Sequence, residues 1–242
     1  MPRALPLLRG GRVLVVAPHA DDETLGCGGT MALLRQAGCA LRVLVVTDGA
    51  AGDPLHYVDD VVAVRQAECR SAIAHLGVED VTFLGEPDGA CRVHPGLRLA
   101  LARALADFDP DWVFAPAPLD YHSDHVTVSL AVAEAWARCR PTSRLFYYEI
   151  WAPLPVTHVV DIGAVASLKR AAVAEYRLPL RYGNYREAIE GLSAYRGLFL
   201  PQGHGVVASS AEAFMEEDRT TPVRTALVRM RRWVERSWTR RD

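Results

Sequence analysis

The stretch Val13–Gly29, VLVVAPHADDETLGCGG, decides the architecture. Its first five residues are apolar without a break and mostly β-branched, the pattern of a strand covered on both faces. A polar run, Pro18-His19-Ala20-Asp21-Asp22-Glu23, follows at once. Helical spacing then sets in over Thr24–Ala37, and Gly38 stops it. A second buried strand is predicted at Leu41–Thr47. Strand, polar turn, helix and strand make one βα unit of a parallel sheet.

Outward from that unit the alternation repeats. Helices are predicted at Val61–Leu76, Leu97–Phe108 and from near His122 to Arg138, with strands at Val81–Leu84 and Trp112–Ala115. Later strands fall at Leu145–Ile150 and His158–Ile162, and further helical segments at Val165–Arg177 and Tyr185–Arg196. Right-handed crossovers between such units predict an α/β fold: a Rossmann-like, doubly wound, mostly parallel sheet with helices on both faces. The 242 residues and 50% hydrophobic content suit one domain over residues 1–242. Residues 12–162 would form the sheet core, 163–221 closing helices and a loop, and 222–242 a basic amphipathic helix. Sites in such sheets form at the carboxyl ends of strands, here after Ala17 and after Ala115.

Composition narrows the function classes. A formal charge of −2 gives no global field to recruit nucleic acid. No apolar run approaches the ~20 residues that span a bilayer, and Gly10–Arg12 interrupts Ala4–Leu8 before a signal-peptide core can form. The five cysteines, Cys27, Cys39, Cys69, Cys91 and Cys139, are scattered with no C-x-x-C and read as reduced thiols of a soluble, cytoplasmic protein. Of 27 basic residues only Lys169 is a lysine, and eight arginines follow from Arg219 onward. There Val223, Leu227, Met230, Val234 and Trp238 recur at helical spacing. Such a helix either docks on the domain by its apolar stripe or offers its arginines to an acidic substrate, an anionic membrane surface or another subunit.

Two clusters carry the chemistry. In the first, one imidazole and three carboxylates crowd the mouth of the first strand, a repulsion that a divalent cation relieves. His19 and Asp22, three apart, turn to one face and leave Asp21 free to handle a proton. The alternative is that Asp21 and Asp22 merely cap the helix. The second cluster is Asp120-Tyr121-His122-Ser123-Asp124-His125. Its H-x-x-H spacing suits one ligand and one catalytic group on the same face, with Asp124 orienting an imidazole; the alternative is a surface N-cap with incidental histidines. Taken together, two histidines and an aspartate with open positions match catalytic zinc. Magnesium would want more carboxylates, and iron(II) in a two-His-one-carboxylate triad is the competing metal.

With these motifs the chain resembles the LmbE-like (PIG-L) zinc-dependent N-deacetylases. VLVVAPHADDETLGCGG is similar to their opening strand and A-H-P-D-D-E motif, and YHSDH (Tyr121–His125) to their H-x-D-H motif. RQAECRSAIAHLGV (Arg65–Val78), FLGEPDG (Phe83–Gly89) and Ala188–Phe214 around a Y-R-G segment extend the resemblance over roughly residues 12–215. It implies His19, Asp22 and His125 as ligands of a single zinc per chain and Asp21 as general base. His122 would stabilise the oxyanion or protonate the leaving amine, and Arg65 and Asp88 would hold polar groups of the substrate. Ala20 departs from the family's proline, which loosens the turn but removes no ligand. The activity implied is hydrolysis of an N-acyl group, typically acetyl, from an amino sugar or glycoconjugate, a small-molecule substrate; the chain would act alone or as a homo-oligomer. In the mechanism read from these residues, His122 is cationic beside Asp124. No G-x-S-x-G occurs and no cysteine sits beside either cluster to serve as a nucleophile.

Rival readings rest on weaker signals. Gly26-Cys27-Gly28-Gly29 with Asp48 suggests a nucleotide-binding oxidoreductase or methyltransferase, but the spacing is not G-x-G-x-x-G and carboxylates precede the glycines. The simpler reading is that these glycines let the first helix pack closely on the sheet. Hydrolysis of a non-sugar amide, or a non-catalytic binding module, completes the set. His204 lies in a loop that could reach the site, and Trp151 is the tryptophan placed to stack on a sugar.

Overall fold

Residues 2–139, 142–200 and 210–217 are described by the computed structural model. In chain order the elements are β1 (Arg3–Ala4), β2 (Arg12–Ala17), α1 (Asp22–Gln36), β3 (Ala40–Thr47), α2 (Val61–His75), β4 (Asp80–Glu86) and α3 (Pro95–Phe108). There follow β5 (Trp112–Pro116), α4 (Ser123–Cys139), β6 (Arg144–Tyr148), β7 (His158–Asp161), α5 (Ala166–Glu175), α6 (Tyr185–Gly197) and β8 (Ala211–Glu216). The predicted helix over 222–242, His204, Trp233 and Trp238 lie outside the described residues.

The strands form one eight-stranded sheet in the order β1-β7-β8-β6-β5-β2-β3-β4. Every neighbouring pair is parallel except those of β8, which runs antiparallel to β6 and β7. The sequence reading stops its strands at Ile162 and misses β8, because AEAFME is short and carries two glutamates. Along β2 successive side chains point to opposite faces. Val13, Val15 and Ala17 enter one core layer with Met31 of α1, Ile73 of α2 and Ala172 of α5. Leu14 and Val16 enter the other with Leu97 and Leu101 of α3 and Val128 of α4. One uninterrupted apolar run thus serves both layers. The chain builds β2, β3 and β4 toward one edge and then returns to lay β5 against the other side of β2. The topological switch point therefore lies between β2 and β5.

The glycines of α1 are packing residues. A Cβ at Gly26 would overlap the Tyr148 ring, and one at Gly29 would come within 2.7 Å of Ile162. Gly26, Gly28 and Gly29 lie inside the helix and form no dinucleotide-binding turn. The helix breaks at Cys27, whose φ is −144° and ψ 21°. Across the break, the Leu25 carbonyl accepts from Lys169 Nζ at 2.8 Å, while the N–H groups of Gly29 and Thr30 donate to the Glu212 carboxylate at 2.8 and 2.7 Å. Leu25 C=O and Gly29 N–H are the pair that an unbroken helix would join. The buried Lys169–Glu212 ion pair, 2.7 Å long, occupies that gap.

No described helix is long and apolar enough to cross a membrane. All five cysteines are free thiols.

Candidate active site

Because β2 and β5 pair in parallel, the loops leaving Ala17 and Pro116 emerge side by side, one leading into α1 and the other into α4. The first loop is tied down locally. The Pro18 carbonyl accepts from the Thr47 N–H and hydroxyl at 2.9 and 2.8 Å, and the His19 N–H donates to Asp22 Oδ2 at 2.9 Å. Asp21 occupies the cap position of α1 but its side chain caps no N–H group. Its carboxylate instead meets Arg65 at 3.2 Å. Helix capping is therefore not what this acid is used for.

Three donor atoms converge here. His19 Nδ1, Asp22 Oδ2 and His125 Nε2 are each 3.2 Å from the other two. A tetrahedral ion with donors at about 2.0–2.2 Å would hold them about 3.3–3.6 Å apart. The residues are nearly or fully buried, so such an ion would be held away from bulk water. Two other groups around His19 lie within 4.8 Å: His19, His122 and His125, and His19, Asp88 and Asp124. The second of these uses carboxylates already engaged by backbone. Asp88 Oδ2 accepts from Ala51 N–H at 3.0 Å, and Asp124 accepts from Gly89 and Cys91 N–H at 2.7 and 3.2 Å. The equal-sided triangle has the short, even donor spacing that a single cation would need.

An outer ring of carboxylates backs the histidines. His19 Nε2 is 3.0 Å from Asp88 Oδ1 and 3.4 Å from Asp124 Oδ2. His125 Nδ1 is 3.3 Å from Asp120 Oδ2. Asp120 also accepts from the N–H groups of His122 at 2.9 Å and Trp151 at 3.1 Å. Asp120 is the residue that sequence reasoning passes over: it opens the second cluster, but no spacing rule marks it as the partner of His125. Burial opposes charge on His19, yet Asp124, Asp22 and Asp88 together raise its pKa well above the usual range. Burial likewise opposes charge on His125, which Asp22 and Asp120 nonetheless push up to about 9. Asp22, despite burial, stays well below the usual carboxylate range because of His125 and His19.

His122 behaves differently from the expectation that Asp124 keeps it cationic. The Asp124 carboxylate turns to His19, whereas its backbone N–H donates to His122 Nδ1 at 3.2 Å. Burial first, then the neighbouring His19 and His125, hold the His122 pKa below the usual range. With the Asp124 N–H donating to it, His122 Nδ1 serves as an acceptor, which leaves Nε2 as the ring nitrogen that can carry a proton. Asp21 shifts the opposite way: burial and the Asp22 charge raise its carboxyl, and Arg65 opposes them. Beneath it Glu23, fully buried, accepts from the Asp21 N–H at 3.1 Å and is bonded by the hydroxyls of Tyr176 and Thr24. Burial pushes its carboxyl to about 7.

Above these groups opens a cleft of about 310 Å³ lined by both clusters, Arg65, Asp88, Trp151, Tyr182 and Tyr185. A larger cavity of about 470 Å³ lies between α5 and α6, with no histidine on its walls. Arg65 and Asp88 reach the cleft, Arg65 Nη2 meeting Asp21 and Asp88 meeting His19 and the Ala51 N–H, while the buried Nε of Arg65 has no hydrogen-bond partner among the described residues.

Residues 14–136 match the family described as PIG-L: GlcNAc-PI de-N-acetylase. A probable N-acetyl-alpha-D-glucosaminyl L-malate deacetylase 2 of Bacillus anthracis is 30% identical over 159 residues, 62% of this chain and 70% of its own length. The 2'-N-acetylparomamine deacetylase of Streptomyces fradiae is 34% identical over 163 residues, 59% of this chain and 58% of its own. A conserved protein of Thermus thermophilus, of known structure, is 32% identical with a TM-score of 0.74 over 87% of this chain and 95% of that one. The match covers the β2–α4 core in which both clusters lie, and the chain belongs to the PIG-L family.

Proposed function

We propose that this chain is a zinc-dependent amide hydrolase of the cytoplasm that removes an N-acyl group, typically acetyl, from an amino sugar or glycoconjugate. The observation that carries the reading is the 3.2 Å triangle of His19 Nδ1, Asp22 Oδ2 and His125 Nε2, with Asp21 and His122 unused beside it at the floor of a cleft. The relatives named for N-acetylglucosaminyl malate and N-acetylparomamine support the amide and the amino sugar.

His19, Asp22 and His125 would hold one zinc per chain; nitrogen-rich ligation favours zinc or iron over magnesium. When bound, the ion supplies a Lewis acid for the acyl oxygen and lowers the pKa of water in the site. The Asp21 carboxylate takes the proton from the attacking water. Arg65 aims that carboxylate, and Glu23 fixes its backbone. The Nε2–H of His122 donates to the oxygen on which negative charge develops. Giving up that proton would leave a neutral imidazole as an anion, so Asp21 returns its own proton to the departing amine.

Metal analysis joined to acetate release tests the reading. The wild-type chain is expected to carry about one equivalent of zinc and to free the amine of an N-acetyl amino sugar, and His125→Ala to lose both. Full zinc occupancy in His125→Ala would overturn the ligand set.

A further inference from the structure

Resting on the reading of His125 as a zinc ligand, we propose that Arg196 is a positioning residue for that ligand, acting through Glu149 and the loop that follows β6. Arg196 is the arginine of the Y-R-G segment, near the end of α6. Its guanidinium forks onto the Glu149 carboxylate: Nε donates to Oε2 at 2.9 Å and Nη2 to Oε1. Both residues are buried. A planar fork on a carboxylate fixes direction as well as distance. The rings of Tyr195 and Phe199, centred 5.3 and 5.2 Å from the guanidinium carbon, flank it.

From Glu149 the route to the site runs through the backbone. Glu149 directly follows β6, and its Oε1 also accepts the Leu154 N–H at 2.8 Å, which closes residues 149–154 into a loop. Ile150 and Trp151 of that loop line the cleft. The Trp151 N–H donates to Asp120 Oδ2 at 3.1 Å, and this same oxygen lies 3.3 Å from His125 Nδ1. One carboxylate oxygen thus serves both the loop and the ligand histidine. Asp120 Oδ1 accepts the His122 N–H, so a turn of this carboxylate would disturb both histidines. A carboxylate behind a ligand orients the ring only as well as it is itself held. The other end of α6 braces the loop again, since the Tyr185 ring meets that of Trp151 at 5.6 Å. A buried ion pair adds little net stability, because desolvation offsets the attraction. Holding the loop gives this one a use.

The test replaces both partners of the full chain at once, because changing either alone strands a buried charge. Glu149→Met/Arg196→Met keeps the volume and removes both charges. Stripped of metal and titrated with zinc against a chelator, it is expected to bind the ion about tenfold more weakly than wild type. Its Trp151 amide should exchange faster with solvent. In an Asp120→Ala background the same double change should cost nothing further in zinc affinity, because its route is already cut. Arg196→Lys keeps the charge but not the fork; it should weaken zinc binding by about threefold, and it carries the test if the double variant does not fold. Wild-type zinc affinity in the folded double variant, or failing that in Arg196→Lys, would overturn the proposal and leave the ligand reading standing, as would a full further loss without Asp120. Wild-type protein that binds no zinc would overturn both.

Discussion

Asp21 and Asp22 are neighbours in the chain and are used in opposite ways. Asp22 turns inward to the two histidines, and Asp21 turns to Arg65. Replacing Asp21 by asparagine keeps shape and leaves the three donors untouched. Asp21→Asn is therefore expected to retain zinc and lose about 10²–10⁴ in turnover, the usual weight of a general base. Turnover within a few-fold of wild type would remove Asp21 from that role. Asp120 acts through others: it faces His125 Nδ1 and holds the backbone of His122 and Trp151. Asp120→Ala is expected to weaken zinc binding or activity about 10–100-fold, the common effect of losing a carboxylate behind a ligand histidine. Competition with a chelator reads the affinity, and wild-type values in both would show that Asp120 is dispensable. That some of these residues are legible in the sequence and one is not has a physical cause. His19, Asp21 and Asp22 fall within four positions and crowd charge in a way a turn alone would not. Asp120 is fixed by a partner in the loop after β6, 31 positions away, which no local pattern contains.

At the scale of the element, α1 shows how a helix can carry a ligand at its start and a built-in break one turn later. Its glycines are legible as packing residues, and Gly26 and Gly29 do lie against Tyr148 and Ile162. Gly28 does not need to be glycine on the same ground, since a Cβ there would meet its neighbours at 3.4 Å or more. The break at Cys27 is not legible. The groups that stabilise it, Lys169 and Glu212, come from 144 and 183 positions away. Neither looks unusual in its own segment, save that Lys169 is the one lysine in the chain. Removing one partner strands the other as a buried charge. Lys169→Met is expected to lower stability by about 3–5 kcal/mol in urea unfolding. Gly29→Ala, which drives a methyl group against Ile162, is expected to cost about 1–3 kcal/mol. A Lys169→Met protein within about 1 kcal/mol of wild type would show that backbone bonding across the break does not depend on the pair.

Over the whole molecule, the sheet order brings together two clusters about a hundred residues apart, because β5 returns to the free side of β2. The run of βα units is readable from apolar periodicity, and with it the location of the site. The antiparallel return of β8 is not, since its glutamates mask a strand whose burial depends on Lys169 and on pairing with β6 and β7. That arrangement has a thermodynamic consequence. The three donors belong to the loop before α1, the first turn of α1 and the first turn of α4, so an ion held by them adds a bond between two crossovers that already touch through His19 and Asp124. A ligand bound by the folded chain and not by the unfolded one stabilises by about 2.7 kcal/mol at a hundred times its dissociation constant. For a domain of this size that is a shift of about 5–10 °C in Tm. Stripping the protein with a chelator is expected to lower Tm by this amount, and stoichiometric excess of zinc to restore it. His125→Ala should melt at one temperature with or without zinc. A wild-type Tm indifferent to chelation, in protein shown to have lost its zinc, would mean that the three donors are held in place by the carboxylates and backbone bonds around them and that the ion adds nothing to the fold.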